Sequence, residues 1–275
     1  MLLRILSFMC VYSFVKEKVG LMKRRGAVTG SLGVSLKGRE IPFIIVGSGE
    51  CVIITGAIHA REHATASLVL MQAERAFANR GRLNKTFCFV PCVNPDGMEI
   101  ANGNISPPEF YSGDVRLYKA NAEGVDLNVN FDAGWGAGKS NVFYPAGENY
   151  VGAYPFSEPE TASLRDFTLK LNPAATVSYH AKGREIYYDF NLLPDLKKRA
   201  RSIAEFMGAR LGYKVVHGSG GSTGGYKDWC EEKLRIPAFT VEIGDDRLKH
   251  PVCEKDLTED YTRNVDLPLW IQNVI

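Results

Sequence analysis

Short apolar runs alternate with helix-period segments along a chain of 275 residues, and that alternation predicts an α/β fold with a mostly parallel or mixed sheet. Two further observations agree. Apolar residues at 45% and charged residues at 23% describe an ordinary globular chain able to bury a sizeable core. No repeat, low-complexity tract or linker interrupts residues 28–275, so they are expected to form a single domain.

The elements follow in order. The opening MLLRILSFMCVYSFVKEKVG has one early Arg and a weakly apolar stretch over 5–15, then runs into Lys16, Glu17 and Lys18. It lacks an A-x-A-like cleavage site, so residues 1–27 are expected to be an N-terminal segment with an amphipathic helix rather than a signal peptide. Residues 28–50 read as a turn-rich opening that leads into the strand IPFIIVG, and Gly47 and Gly49 suggest a hairpin to the next apolar run, CVIITGAI. Residues 62–80 carry apolar side chains at helical spacing. TFCFVPCV is a further strand, closed by the turn signal Asn94-Pro95-Asp96-Gly97. Residues 99–160 read as one long Gly-, Asn-, Pro- and Tyr-rich loop, a length usually reserved for function. ATVSYHA is a strand, 194–211 a helix, SGGSTGG a glycine-rich loop, and a helix starts around 227–233. IPAFTVEIG is the last clear strand, and one more helix is expected in the tail.

Charge and cysteines exclude several functions. The 33 basic and 31 acidic residues leave a net charge of +2, without the basic excess of a nucleic-acid binder. No apolar run reaches the ~18 residues of a membrane span. The six cysteines, Cys10, Cys51, Cys88, Cys92, Cys230 and Cys253, are too few for a disulfide scaffold and lack zinc-knuckle spacing. They are expected to be mostly reduced structural thiols, which favours a cytoplasmic location. No sequence feature sets the oligomeric state.

In α/β sheets, chemistry gathers at the carboxyl ends of strands. CVIITGAI ends in His59-Ala60-Arg61-Glu62-His63, ATVSY in His180, and AFTV in Glu242. Across a strand-to-helix turn, His59 and Glu62 can point at one centre, and His180 can supply a third ligand. Two histidines and a glutamate with one open position make a catalytic zinc shell. Glu242 is then the natural general base. Asp126 in GVDLN could accept a hydrogen bond from the far ring nitrogen of His59. Each residue also has a plainer reading. H-x-x-E occurs by chance, His180 could be a satisfied strand-end histidine, and Glu242 could pair with Arg61 or Arg235.

At these residues the sequence resembles the zinc carboxypeptidases of the carboxypeptidase A superfamily, peptidase family M14. The matching blocks are GAIHAREHAT, NPDG, RLYKANAEGVDLNVNFD, SYHAKG, SGGSTGGYKDW and FTVEIG, in family order over roughly 40–250. The resemblance implies a central mixed eight-stranded sheet flanked by helices and one catalytic Zn2+. It makes His59, Glu62 and His180 the ligands, Glu242 the base, and Asp126 the carboxylate that orients His59. Arg61 and Asn128 become substrate contacts. Lys119, with Arg116 as a rival, matches the arginine that polarises the scissile carbonyl.

Two departures qualify that resemblance. Digestive members carry an arginine that grips the terminal carboxylate, and Val129 stands at that position. No tyrosine aligns cleanly with the family's mobile active-site tyrosine; Tyr226 is nearby and is a candidate substrate contact, with ordinary packing as its plainer reading. Both departures, with YKAN and SGGSTGGYKDW, resemble the bacterial branch that includes γ-D-glutamyl-meso-diaminopimelate peptidases, which act on cell-wall peptides. The glycines of 218–225 are expected to offer backbone N–H groups to a carboxylate. The expected partner is therefore a peptide substrate, including a muropeptide. The alternatives are a metallocarboxypeptidase acting on ordinary peptides, a small-molecule deacylase, and a catalytically inactive peptide-binding module.

Overall fold

The computed structural model describes residues 11–218 and 221–275; Cys10 and the start of the N-terminal apolar stretch lie outside them. The strands are β1 (Val28–Val34), β2 (Glu40–Gly47), β3 (Cys51–Thr55), β4 (Thr86–Val90), β5 (Ala175–Ala181), β6 (Glu185–Tyr187), β7 (Lys214–Val216) and β8 (Ala238–Ile243). They form one mixed sheet in the order β1-β2-β4-β3-β5-β8-β6-β7. The centre, β4-β3-β5-β8, is parallel, while β1, β2 and β6 join antiparallel. Every residue of β3 and β5 is buried, as expected of central strands covered on both faces.

The helices are α1 (Tyr12–Arg24), α2 (Ala64–Ala78), α3 (Pro95–Ala101), α4 (Pro159–Leu171), α5 (Pro194–Leu211), α6 (Tyr226–Trp229), α7 (Thr258–Asn264) and α8 (Leu267–Ile271). Val52, Ile54, Val177, Tyr179 and Val241 face a core shared with α1, α2, α5, α7 and α8. Ile53, Cys88 and Ala238 face the opposite way, onto Leu164, Tyr226 and Trp229. Alternation along each strand sends its residues to the two sides. His180, on the Thr176–Ser178 side of β5, therefore emerges with the second layer.

Several expectations needed correction. The hairpin expected between β2 and β3 is absent, because β4 lies between them; β2 instead turns back on β1. The wholly buried β3 gains more by parallel neighbours on both sides than by an edge pairing. Asn94-Pro95-Asp96-Gly97 starts α3 rather than a free turn. The Asn94 side chain accepts from Gly97 N at 2.9 Å, and Pro95 sits in the first turn, where its missing N–H costs nothing. The long loop 99–160 stops at α4, which the periodicity reading passed over, and the tail holds two helices rather than one. The N-terminal segment is helical over Tyr12–Arg24 within its described part, as expected. Tyr12, Val15, Val19 and Met22 of α1 pack into the same core as α2, and Tyr12 Oη donates to Glu40 O at 2.8 Å. Among the described residues, no helix is long and apolar enough to cross a membrane.

Candidate metal centre and substrate cleft

After Thr55 the chain leaves the sheet and turns sharply, with Ala57 at φ +46°. Thr65 Oγ1 holds this turn, accepting from Ala57 N at 2.7 Å and donating to Glu62 O at 2.8 Å. Asn94 Nδ2 donates to Ile58 O at 3.2 Å. A short 3-10 turn over Ala60–Glu62 then returns Glu62 to His59. The β3–β5 contact, reinforced by Thr55 Oγ1 and Ser178 Oγ at 2.8 Å, brings in His180 from 121 positions away.

His59 Nδ1 lies 2.9 Å from Glu62 Oε1 and 3.1 Å from His180 Nδ1, and His180 Nδ1 lies 3.2 Å from Glu62 Oε2. All three side chains are buried. Two ring nitrogens this close need a proton or a cation between them. Nitrogen ligands at zinc distance, on adjacent tetrahedral corners, would stand about 3.3 Å apart. The donor set and its spacing therefore fit one Zn2+, with His59, Glu62 and His180 as the residues that could hold it. Burial alone would raise the Glu62 pKa, but the two histidines hold it well below the usual carboxylate range. Burial likewise opposes a charged His59, and the Glu62 and Asp126 carboxylates outweigh it.

Asp126 anchors the next layer. Its Oδ1 is 3.3 Å from His59 Nε2 and its Oδ2 is 2.7 Å from Lys119 Nζ. It also accepts from Asn128 N and Asn149 N, each at 3.1 Å. Fully buried, it would be raised by desolvation, yet Lys119 and His59 hold it well below the usual range.

His59, His180, Lys119, Asn128, Val129 and Glu242 line one cleft of about 270 Å³. Glu242 stands on β8 in register with His180. Burial, with Glu62 adding to it, pushes Glu242 up to about 7 against the pull of His180. Asn128 Oδ1 accepts from Tyr226 N at 3.1 Å, so its amide nitrogen is the group it can offer the cleft. Gly224 lets the opposite wall approach: its φ is +84°, and a Cβ there would meet Val129 O at 2.8 Å.

Three expected residues sit elsewhere. The Tyr226 side chain is fully buried among Phe131 and Trp229, with its hydroxyl 2.8 Å from Thr168 Oγ1, so it faces the core and not the cleft. Arg116 is exposed and doubly bonded to Asp114, two residues away, and does not line the cleft. Arg61 donates to Leu117 O and Glu148 Oε2, likewise away from the cleft lining. Nor is the Gly225 N–H free for a carboxylate, because it donates to Asp228 Oδ2 at 3.2 Å. Conversely, Tyr187, Lys227, Asp228 and Thr240 line the cleft without having been singled out. For Thr240 the alternation along β8 was a usable signal, since residues 240 and 242 share a face.

Residues 22–266 match the family described as zinc carboxypeptidase, peptidase M14, and the chain belongs to that family. It is 31% identical over 254 residues to the gamma-D-glutamyl-L-diamino acid endopeptidase 1 of Lysinibacillus sphaericus, covering 82% of this chain and 62% of that protein. This chain thus spans less than two thirds of that relative's length. Among solved structures, bovine thrombin-activatable fibrinolysis inhibitor in complex with tick carboxypeptidase inhibitor matches with a TM-score of 0.79 at 21% identity, covering 96% of this chain and 95% of that one. The murein-tripeptide amidase MpaA of Escherichia coli O157 matches with a TM-score of 0.62 at 24% identity, covering 90% and 95%. At these identities the structural matches establish the fold, and the expected eight-stranded mixed sheet is the one observed.

Proposed function

We propose that this chain is a zinc-dependent peptidase that hydrolyses the amide bond between a γ-D-glutamyl group and a diamino acid such as meso-diaminopimelate, in a peptide derived from cell wall. The observation that carries the hydrolase reading is the convergence of His59, Glu62 and His180 at one point, with Glu242 beside them in the same cleft. The substrate reading is supported by the relative named as acting on gamma-D-glutamyl-L-diamino acid bonds, and by Val129 in the cleft where a carboxylate-gripping arginine would otherwise stand.

Zinc in such a shell supplies Lewis acidity, making water acidic near neutral pH and polarising a carbonyl. The chain's own residues do the rest. Glu242 takes the proton of the attacking water and passes it to the leaving nitrogen. Lys119, held against Asp126, presents positive charge to the developing oxyanion. Asn128 orients the peptide through its amide nitrogen. The buried thiols Cys51, Cys88 and Cys230 support a reducing compartment, and so a free muropeptide as substrate.

The test is incubation of the zinc-loaded protein with a γ-D-glutamyl–diaminopimelate peptide beside a panel of ordinary C-terminal dipeptides, read by mass spectrometry. Cleavage of the γ-D-glutamyl bond with little release from the panel is expected. Faster release of C-terminal residues from the panel overturns the substrate reading in favour of an ordinary carboxypeptidase.

A further inference from the structure

Away from the cleft, two arginines converge on one ring without a counter-ion. Arg25 stands just past the end of α1, and Arg80 just past the end of α2. The Arg25 guanidinium lies 5.4 Å from the centre of the Phe77 ring, and the Arg80 guanidinium 4.6 Å from it. Elsewhere the chain matches its arginines: Arg39, Arg61, Arg75, Arg184 and Arg263 each reach a carboxylate. Among the described residues Arg25 and Arg80 reach none. Arg25 Nη1 lies 4.0 Å from Met22 Sδ, and Arg80 Nη1 donates to Phe77 O at 2.9 Å. Glu74 of α2 and Asp266 are engaged instead by Lys18 and Arg75. Lys23, Arg24 and Arg82, adjoining in sequence, are exposed and add positive charge. Helix ends explain part of this, because cations favour the negative C-terminal pole. Yet Lys23 and Arg24 already occupy the last turn of α1, and Arg75 that of α2. Arg25 and Arg80 exceed that need, and two like charges on one ring repel unless something negative joins them.

We propose that Arg25 and Arg80, held by Phe77, form a binding site for a phosphate group, separate from the cleft. A guanidinium lying over a ring spends its face there and keeps its in-plane N–H donors for a ligand. One arginine fork already satisfies the two oxygens of a carboxylate. Two arginines call for an anion with more oxygens and more charge, which phosphate supplies. Helix α2 keeps the two sites apart. It begins at Ala64, close to the metal ligand Glu62, and its 15 residues carry Phe77 about 20 Å away. A phosphate bound there leaves the cleft open and touches none of the hydrolytic groups. The same chemistry is offered by a phosphate along a soluble polymer and by a lipid headgroup. Either would hold the chain at a phosphate-rich surface with its cleft free for substrate.

Titrating the zinc-loaded protein with inorganic phosphate, while following the NMR signals of the arginine side chains, tests the site whatever bond the cleft cuts. Phosphate should shift the Arg25 and Arg80 Nε–H signals saturably, and bind about tenfold or more tighter than acetate. Arg25→Gln and Arg80→Gln should each weaken binding about tenfold, the scale of lost hydrogen bonds to a charged group. Arg210→Gln is the control. Arg210 lies 5.4 Å from the centre of the Trp270 ring as a single cation, and its loss should change affinity by less than about twofold. Phe77→Leu keeps every charge and removes only the ring, and should weaken binding about fivefold. Retention of inorganic polyphosphate, beside pelleting with phosphatidylglycerol vesicles, then separates a polymer source from a headgroup, and binding to either upholds the site. Absence of saturable shifts at Arg25 and Arg80 overturns the proposal. So does equal weakening by all three arginine substitutions, or undiminished binding by Phe77→Leu, since a diffuse positive field would then suffice.

Discussion

Two buried charge networks share one cleft, and they are built in opposite ways. Around His59, Glu62 and His180, lone pairs crowd toward a point, with ring nitrogens and carboxylate oxygens 2.9 to 3.2 Å apart. Around Lys227 the cation is already in place, with carboxylates at 2.7 and 2.9 Å. The first network is incomplete without an ion, while the second is nearly satisfied by its own chain. Burial penalises unpaired charge in both, so the arrangement of partners shows what each is waiting for. The metal cluster needs a dication, whereas the cluster around Lys227 already holds its cation.

The largest effect should come from removing a donor from the first network. His59→Ala or His180→Ala should abolish stoichiometric zinc in metal analysis after dialysis, and activity with it; retained zinc would break the assignment. Glu242→Gln should leave zinc content unchanged and lower turnover by about a hundred- to ten-thousandfold, the usual range for a lost general base. Near-normal turnover in that variant would remove Glu242 from the mechanism. Asp126→Asn touches the link between His59 and Lys119, and should weaken zinc affinity about 10- to 100-fold in a chelator competition.

The smallest effect sharpens the comparison through a control, a buried carboxylate with no cation paired to it among the described residues. Glu160 accepts from Leu36 N, its Oε2 has no hydrogen-bond partner, and burial pushes its pKa from 4.5 up to about 7. The folded protein therefore holds a proton that the unfolded chain releases. Stability contributed here falls as pH rises from about 4.5 to 7, and the deficit is complete above that. Glu160→Gln should raise stability at pH 8 by up to about 3 kcal/mol, and by almost nothing at pH 4. Denaturant melts at the two pH values check both the sign and the window. A gain as large at pH 4 as at pH 8 would mean that charge is not the cause.

The legible parts of the site were those tied to strand ends. His59, His180 and Glu242 each follow an apolar run, and a polar residue at the tip of a buried strand has few places to go except the cleft. What the pattern hid was pairing at a distance. YKDW reads as the start of an ordinary helix, and nothing local says that Lys227 will be held by Asp228 and Glu231 while lining the same cleft as Glu242. Tyr226 takes the plainer of its two readings, packing, because a helix start presents adjacent residues to different sides, sending residue 226 into the core and 227 to the cleft. The Asn-rich block was legible as a block but not in its purpose. Asn130 Nδ2 donates to Val151 O and Tyr154 O, and Thr161 Oγ1 donates to Asn130 Oδ1, fastening the long loop to α4 rather than meeting substrate.

By itself the sequence determined the α/β alternation, the types of donor at three strand ends, and the family. Those depend on local periodicity and on residue chemistry, which a chain carries wherever it is read. The tertiary structure decided which donors meet and which charges are already spent. His59 and His180 are 121 positions apart and touch because β3 and β5 bury both faces side by side. Lys227 is spoken for because Asp228, its neighbour in α6, and Glu231, in the turn that follows, close around it. Hydrophobic burial sets those long-range registers, and only once they are set does the low-dielectric cleft make each unpaired atom count.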